Sequence, residues 1–252
     1  MSTVLITGCS SGFGLETARL FLHKGWHVIA SMRVPDPQLL PASDRLRILP
    51  LDITDPASIA ALVEQAGPID VLVNNAGVGA PVPVELTPVE TTRALFETNT
   101  FGTLAMTQAF LPQFRARRGG VVINVTSSVT LKALPLVGVY SASKAAVNAF
   151  TASLAVEMAP FDVRVRLVLP GRSPETRFGA NAQPFLNGLD HPAYADFIGR
   201  TIAGMRSSSG PMTHASDVAE AVWRAATDPS APLRIAAGAD AEACMAEAGG
   251  AG

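Results

Sequence analysis

The sequence predicts an α/β fold of the Rossmann type, a doubly wound parallel sheet with helices on both faces. Short β-branched runs alternate with helix-like segments along the chain. Most of those runs are almost wholly apolar rather than alternating, as strands covered on both faces must be. A glycine-rich turn at residues 7–14 joins the first run to the first helix.

Strands are expected at 4–7, 28–32, 47–51, 71–74, 121–125, 164–168 and 233–236. Helices are expected at about 13–24, 56–65, 88–117, 138–159 and 216–227. Thr54-Asp55-Pro56 places a cap before a proline at the first helical position, and Thr87-Pro88 repeats the device. Pro112 is expected to end or bend the helix begun near Pro88. Pro35, Pro37 and Pro41 leave little room for a helix between the second and third strands. The run Ala248-Gly249-Gly250-Ala251-Gly252 is expected to fray.

No repeat or linker interrupts the pattern, so residues 1–252 read as one domain. The segment 172–213 breaks the rhythm, mixing Phe178, Phe185, Leu189, Tyr194, Phe197 and Met205 with Gly, Pro, Ser and Asn. An insertion after a strand's carboxyl end is where such folds place a lid over a ligand. A dimer contact or a decoration is the other reading.

Composition narrows the function. With 48% apolar and 16% charged residues, the 252-residue chain can bury a large core, which excludes disorder. A net charge of −2 gives no reason to expect nucleic acid or an anionic membrane as partner. No apolar run reaches bilayer length. Met1-Ser2-Thr3-Val4-Leu5-Ile6-Thr7 lacks a basic region, so no signal peptide is expected there. Cys9 and Cys244 make no disulfide framework and read as inert thiols of a cytoplasmic protein. His23, His27, His191 and His214 have no metal-ligand spacing, so no metal site is expected. His191 reads as exposed.

The turn Thr7-Gly8-Cys9-Ser10-Ser11-Gly12-Phe13-Gly14 carries Gly8, Gly12 and Gly14 in Gly-x-x-x-Gly-x-Gly spacing. Glycines let backbone approach a pyrophosphate, and the helix start offers N–H groups and a partial positive charge. With Asn74-Asn75-Ala76-Gly77, Asn99, Ser127, Tyr140-x-x-x-Lys144 and Pro170-Gly171 following in order, the chain resembles the short-chain dehydrogenase/reductase family over nearly its whole length.

Folds that prefer NAD place an acid at the end of the second strand. Here that position holds Met32, followed by Arg33. An arginine pairs with a 2′-phosphate where an acid would repel it, and the resemblance implies the same NADP(H) preference. Ser10 could add a hydrogen bond to that phosphate. Arg33 also fits a solvated surface residue. Phe13 reads as facing the cofactor or as core. The resemblance makes Asp52, with Ile53 beside it, an adenine-edge contact, while Asp52 alone also reads as a turn or capping residue before Pro56.

Tyr140 and Lys144 lie four apart, on one helix face. A neighbouring ammonium is expected to pull the phenol below its ordinary value of about 10. Such a tyrosine can exchange a proton with a substrate oxygen while hydride moves at carbon. Ser127, at a strand's carboxyl end, can hold that oxygen; Thr126 and Ser128 leave its register open by one. In the family this serine follows an asparagine by three, here Asn124.

The remaining roles are what the resemblance implies. Asn99 bends its helix and anchors a proton-relay water, although it also reads as an ordinary helix residue. Lys144 holds the nicotinamide ribose. Asn75, Ala76 and Gly77 line the cofactor, with strand-end capping the other reading of the two asparagines. Pro170 and Gly171 approach the nicotinamide. A threonine often stands five residues after that proline, whereas this chain has Glu175 there and Thr176 next.

The expected activity is NADP(H)-dependent interconversion of a ketone or aldehyde with an alcohol, on an apolar small molecule. The resemblance implies a homodimer or homotetramer built on the helices near 88–117 and 138–159. The rivals are a nucleotide-sugar epimerase or dehydratase and a non-catalytic NADP(H)-sensing scaffold.

Overall fold

The computed structural model describes residues 2–186, 189–207 and 209–249, apart from the side chains of Phe178 and Arg206. Its seven strands are β1 (Thr3–Thr7), β2 (His27–Met32), β3 (Leu46–Pro50), β4 (Val71–Asn74), β5 (Gly120–Val125), β6 (Val163–Pro170) and β7 (Arg234–Ala237). They form one parallel sheet in the order β3-β2-β1-β4-β5-β6-β7. The order reverses between β1 and β4, which opens a crevice above their carboxyl ends.

The near-continuous apolar runs serve two cores. Val4 and Ile6 of β1, Val71 and Val73 of β4, and Ile123 of β5 face one side. There they meet Phe21 of α1 (Gly12–His23) and Val222 of α8 (Ala215–Thr227). Leu5, Leu72 and Val122 face the other way, toward Leu62 of α2 (Pro56–Ala66), Phe110 of α4 (Thr103–Arg117) and Leu154 of α5 (Gly138–Met158). Adjacent residues of one strand thus enter opposite layers. Each fully buried side chain of this size contributes roughly 1.5–3 kcal/mol.

Polar residues knit the second layer. Asn74 donates to Asn124 Oδ1 at 2.8 Å and to Thr107 Oγ1 at 3.0 Å, and Asn124 donates to Thr151 Oγ1 at 2.8 Å. The strand-end capping reading of Asn74 is therefore replaced by a buried bridge from β4 to β5 and α4, which Asn124 carries on to α5.

The expected helix at 88–117 is three elements: α3 (Val89–Phe96), a π turn (Glu97–Gly102) and α4. Pro112 does not end the helix. Phe110 and Phe114 are fully buried on either side of it and hold the segment in place, so it continues until left-handed Arg118, φ 50°. The interruption falls at the π turn, where Thr100 Oγ1 donates to Ser143 O at 2.9 Å and Gly102 presses on Ile53.

Residues 33–45 contain no helix, as the prolines imply. The terminal fraying is corrected for Ala248 and Gly249, which end α9 (Ala239–Gly249); residues 250–252 lie outside the described ones. The 172–213 segment carries α6 (Phe178–Asn181) and α7 (Ala195–Ser207).

Candidate active site

The glycine turn leaves β1 at the point where the strand order reverses, and it closes against the end of β4. Asn75 Nδ2 donates to Thr7 O at 2.9 Å and Gly8 O at 3.3 Å, while Thr7 Oγ1 accepts from Asn75 N and Ala76 N at 3.0 Å each. A Cβ on Gly14 would lie 2.4 Å from Gly8 O and 2.5 Å from Asn75 Nδ2. One on Gly8, whose φ is +76°, would lie 2.9 Å from Ala76 Cα. The turn can exist only without side chains at these two positions. Ser11 makes no side-chain cap on α1, so its side chain leaves the first helical N–H groups open to an anion.

Above the turn lies a cavity of about 580 Å³. Gly8 and Ser10 line it from the glycine turn, Gly12 and Phe13 from the start of α1, and Met32 and Arg33 from the end of β2. Asp52, Ile53, Asn75, Ala76 and Gly77 complete that wall. Gly14 is absent from the lining because its work is to close the turn. Asp52 lines the cavity and closes a local turn, its Oδ1 accepting from Thr54 N at 2.9 Å and Thr54 Oγ1 at 2.7 Å, whereas the cap of α2 is Asp55, which accepts from Ala57 N at 2.9 Å. The bonds from Thr54 hold the Asp52 carboxyl below the usual range.

Ser127, Tyr140, Lys144 and Asn99 gather beside the cavity rather than on its wall. Ser127 leaves β5 in extended conformation, and its side chain is hydrogen-bonded to that of Tyr140. Ser127 is thus the serine that meets Tyr140. Lys144 Nζ, one turn beyond Tyr140, donates to Val125 O at 3.1 Å. Asn99 sits in the π turn, fully buried, and clamps Val78: Oδ1 accepts from Val78 N and Nδ2 donates to Val78 O, both at 2.9 Å. Nδ2 also lies 3.0 Å from Ser143 Oγ on α5. Gly77 is the meeting point, since a Cβ there would lie 3.0 Å from both Asn99 Oδ1 and Lys144 Nζ.

The electrostatics correct one expectation. Burial pushes the Tyr140 phenol up to about 12, against the smaller lowering effect of Ser127, instead of Lys144 pulling it below its ordinary value. Burial also pushes the Lys144 ammonium down to about 8. Both charged forms lose more from leaving water than the pair returns. Cys9, fully buried in the turn, is pushed up to about 12 and stays an unreactive thiol.

Pro170 and Gly171 end β6 one strand over from Ser127, outside the cavity wall. Beyond them Glu175 turns away to His214 Nδ1, 3.1 Å off, and Thr176 takes the cavity wall against Gly12. The threonine is thus present one residue later than the resemblance implied. Phe185 and Leu189 pack on Ala80, Val82 and Leu95, with Val139 beside Tyr140 in the same cluster. Tyr194 Oη donates to Glu85 Oε2 at 2.6 Å. His191 is exposed. Sequence reasoning missed Arg177, a second cation on the cavity wall opposite the glycine turn; its one legible signal was a basic residue inside the insertion.

Residues 2–185 match the short chain dehydrogenase family. The chain is 40% identical over 172 residues to the 3-ketodihydrosphingosine reductase of Bacteroides thetaiotaomicron, covering 67% of this chain and 62%, under two thirds, of that protein. A short-chain dehydrogenase from Streptomyces avermitilis superposes with a TM-score of 0.84 at 31% identity, over 100% of this chain and 94% of that one. One from Burkholderia cenocepacia, solved in complex with NADP, gives 0.77 at 29% identity, over 98% and 91%. Matched along 2–185 in sequence and over its whole length in structure, the chain belongs to the short-chain dehydrogenase/reductase family.

Proposed function

We propose that the chain is an NADP(H)-dependent oxidoreductase interconverting an apolar ketone or aldehyde with its alcohol. The observation that carries this reading is Tyr140, buried, hydrogen-bonded to Ser127 and one helical turn from Lys144, at the strand ends beside a glycine-lined cavity. The residues fit the cofactor. The glycine turn is a cradle that side chains at Gly8 and Gly14 would fill, and two arginines, Arg33 and Arg177, face the cavity. Met32, instead of an acid, ends β2. A structural neighbour solved with NADP and a relative named 3-ketodihydrosphingosine reductase support the same reading.

When bound, the nicotinamide supplies or takes up the hydride at the carbonyl carbon. Ser127 holds the substrate oxygen, and Tyr140 donates its phenolic proton to that oxygen in reduction. Lys144, one turn from Tyr140, holds the ribose and steadies the charge left when the phenol gives up its proton. Asn99 holds the loop at Val78 and, through Ser143, the helix that carries both. Gly8, Ser10, Gly12, Phe13, Arg33, Asp52, Ile53, Asn75, Ala76, Gly77, Pro170 and Gly171 bind the cofactor, with Gly14 shaping the turn.

Residues 1–252 act as one domain in this reading, with about 172–213 as a lid. The packing of Phe185 and Leu189 next to Val139 supports an apolar substrate under that lid. Exposed Val89, Phe101 and Val156, on α3, the π turn and α5, support a homodimer or homotetramer. The thiols Cys9 and Cys244, both free, suit the cytoplasm.

The test is NADPH oxidation, followed by absorbance, against aliphatic, aryl and bulky cyclic ketones, with NADH in parallel. Turnover that favours NADPH is expected. Tight NADPH binding without turnover on any ketone would favour the sensing scaffold instead.

A further inference from the structure

α9 brings a carboxylate to the far side of the loop that ends β6. Asp240 Oδ2 accepts from Arg172 N at 2.6 Å, and Oδ1 lies 2.6 Å from Thr213 Oγ1. Thr213 is fully buried. Its hydroxyl accepts from Gly171 N at 2.9 Å and also lies 2.9 Å from Ala237 O. Thr213 N in turn donates to Arg172 O at 2.9 Å. The two ends of the 172–213 segment are therefore tied to each other and to one acid.

Two glycines leave room for this arrangement. A Cβ on Gly171 would lie 2.2 Å from both carboxylate oxygens of Asp240. One on Gly238, whose φ is +96°, would lie 2.2 Å from Thr213 Oγ1. Packing of that closeness fixes where Gly171 stands, and β6 runs beside β5, whose end leads to Ser127.

We propose that Asp240 and Thr213 are positioning residues for the nicotinamide half of the cofactor, acting through the backbone of Gly171 and Arg172. The inference rests on the NADP(H) reading above. The carboxylate touches neither the substrate nor the cavity wall; it sets the loop from behind. The adenosine half would be held by the cavity lining at the β1, β2 and β4 ends, away from this clamp.

Calorimetry tests this on the full chain with two ligands, NADPH and 2′-phospho-ADP-ribose, which lacks the nicotinamide. Asp240→Ala and the milder Thr213→Val are expected to weaken NADPH roughly tenfold, the scale of one lost charge-assisted hydrogen bond. Binding of 2′-phospho-ADP-ribose should stay within about twofold of wild type, on the same reasoning. Asp240→Asn, which keeps one acceptor oxygen, should fall between wild type and alanine. If Thr213→Val and Asp240→Ala weaken the two ligands equally, or weaken neither, the pair is only a structural clamp and the proposal fails. If wild type binds neither ligand, the dinucleotide reading falls and takes this one with it.

Discussion

Replacing Asn99 by alanine separates a mechanical role from a relay role. The Asn99 amide makes three hydrogen bonds, two to the backbone of Val78 and one with Ser143 Oγ, and the side chain is fully buried. At about 1 kcal/mol net for each neutral bond, the loss is about 3 kcal/mol. For a chain of this length each kcal/mol moves Tm by roughly 2–4 °C, so Asn99→Ala should lower Tm by about 6–12 °C. Thermal unfolding of the cofactor-free protein, followed by circular dichroism, reads this directly. Asn99→Asp keeps the acceptor for Val78 N but loses both donated bonds, and should still fall by more than half as much. A variant that unfolds within about 2 °C of wild type would refute the reasoning. The amide would then matter, if at all, only as a water anchor, and turnover alone would suffer.

Three further outcomes are expected. Arg33→Asp should shift the NADPH/NADH ratio of kcat/KM toward NADH by roughly 10–100-fold, the scale of one lost charged hydrogen bond; an unchanged ratio would remove Arg33 from the 2′-phosphate site. Tyr140→Phe should cut kcat by on the order of 10²–10⁴ while calorimetric NADPH affinity holds, and near-normal turnover would sink the acid/base role. The Lys144 ammonium titrates at about 8 in the folded chain against an ordinary 10.5, so between those values the unfolded chain binds the extra proton. Stability from this group therefore rises with pH across that window. In urea unfolding, wild type should gain on Lys144→Met from pH 8 to 10, and a constant difference would contradict the burial of that charge.

Most of the fold was legible because buried parallel strands leave a local signature. Every expected strand is present, with edges displaced by at most two residues. The glycine turn was legible for a similar reason, since its spacing encodes backbone geometry that only glycine accepts. The resemblance implied a bend at Asn99, where the helix is interrupted, but the form of that interruption as a π turn was not legible. Thr98, Asn99 and Thr100 are weak helix formers, but weak propensity does not specify a π turn; its cause is a set of distant contacts to Val78, Ser143 and Ile53. Pro112 does not end the helix, as the burial of Phe110 and Phe114 outweighs a missing hydrogen bond. α9 and its Asp240 were not legible either: only 248–252 was expected to fray, no helix was expected at 239–249, and the partners of Asp240 are 68 and 27 residues away in the chain.

Burial explains why helix spacing, which sets Lys144 one turn from Tyr140, gave the wrong titration. On an exposed helix face, an ammonium one turn from a phenol stabilises the phenolate, since water already solvates both charges. Here both groups are nearly sealed, Tyr140 at 7% exposure and Lys144 at 4%. Desolvation then penalises phenolate and ammonium together, moving the one up to about 12 and the other down to about 8. The resting state is a neutral phenol that already holds the proton a carbonyl reduction consumes. Alcohol oxidation must first move that proton away, and the groups on hand for the charge left behind are Ser127, bonded to the phenol, and Lys144, which remains largely protonated at neutral pH. The same burial that raises the phenol keeps it protonated at neutral pH. It also makes Lys144 matter most at the moment Tyr140 becomes negative, when an ammonium in a low-dielectric setting acts more strongly than it would in water.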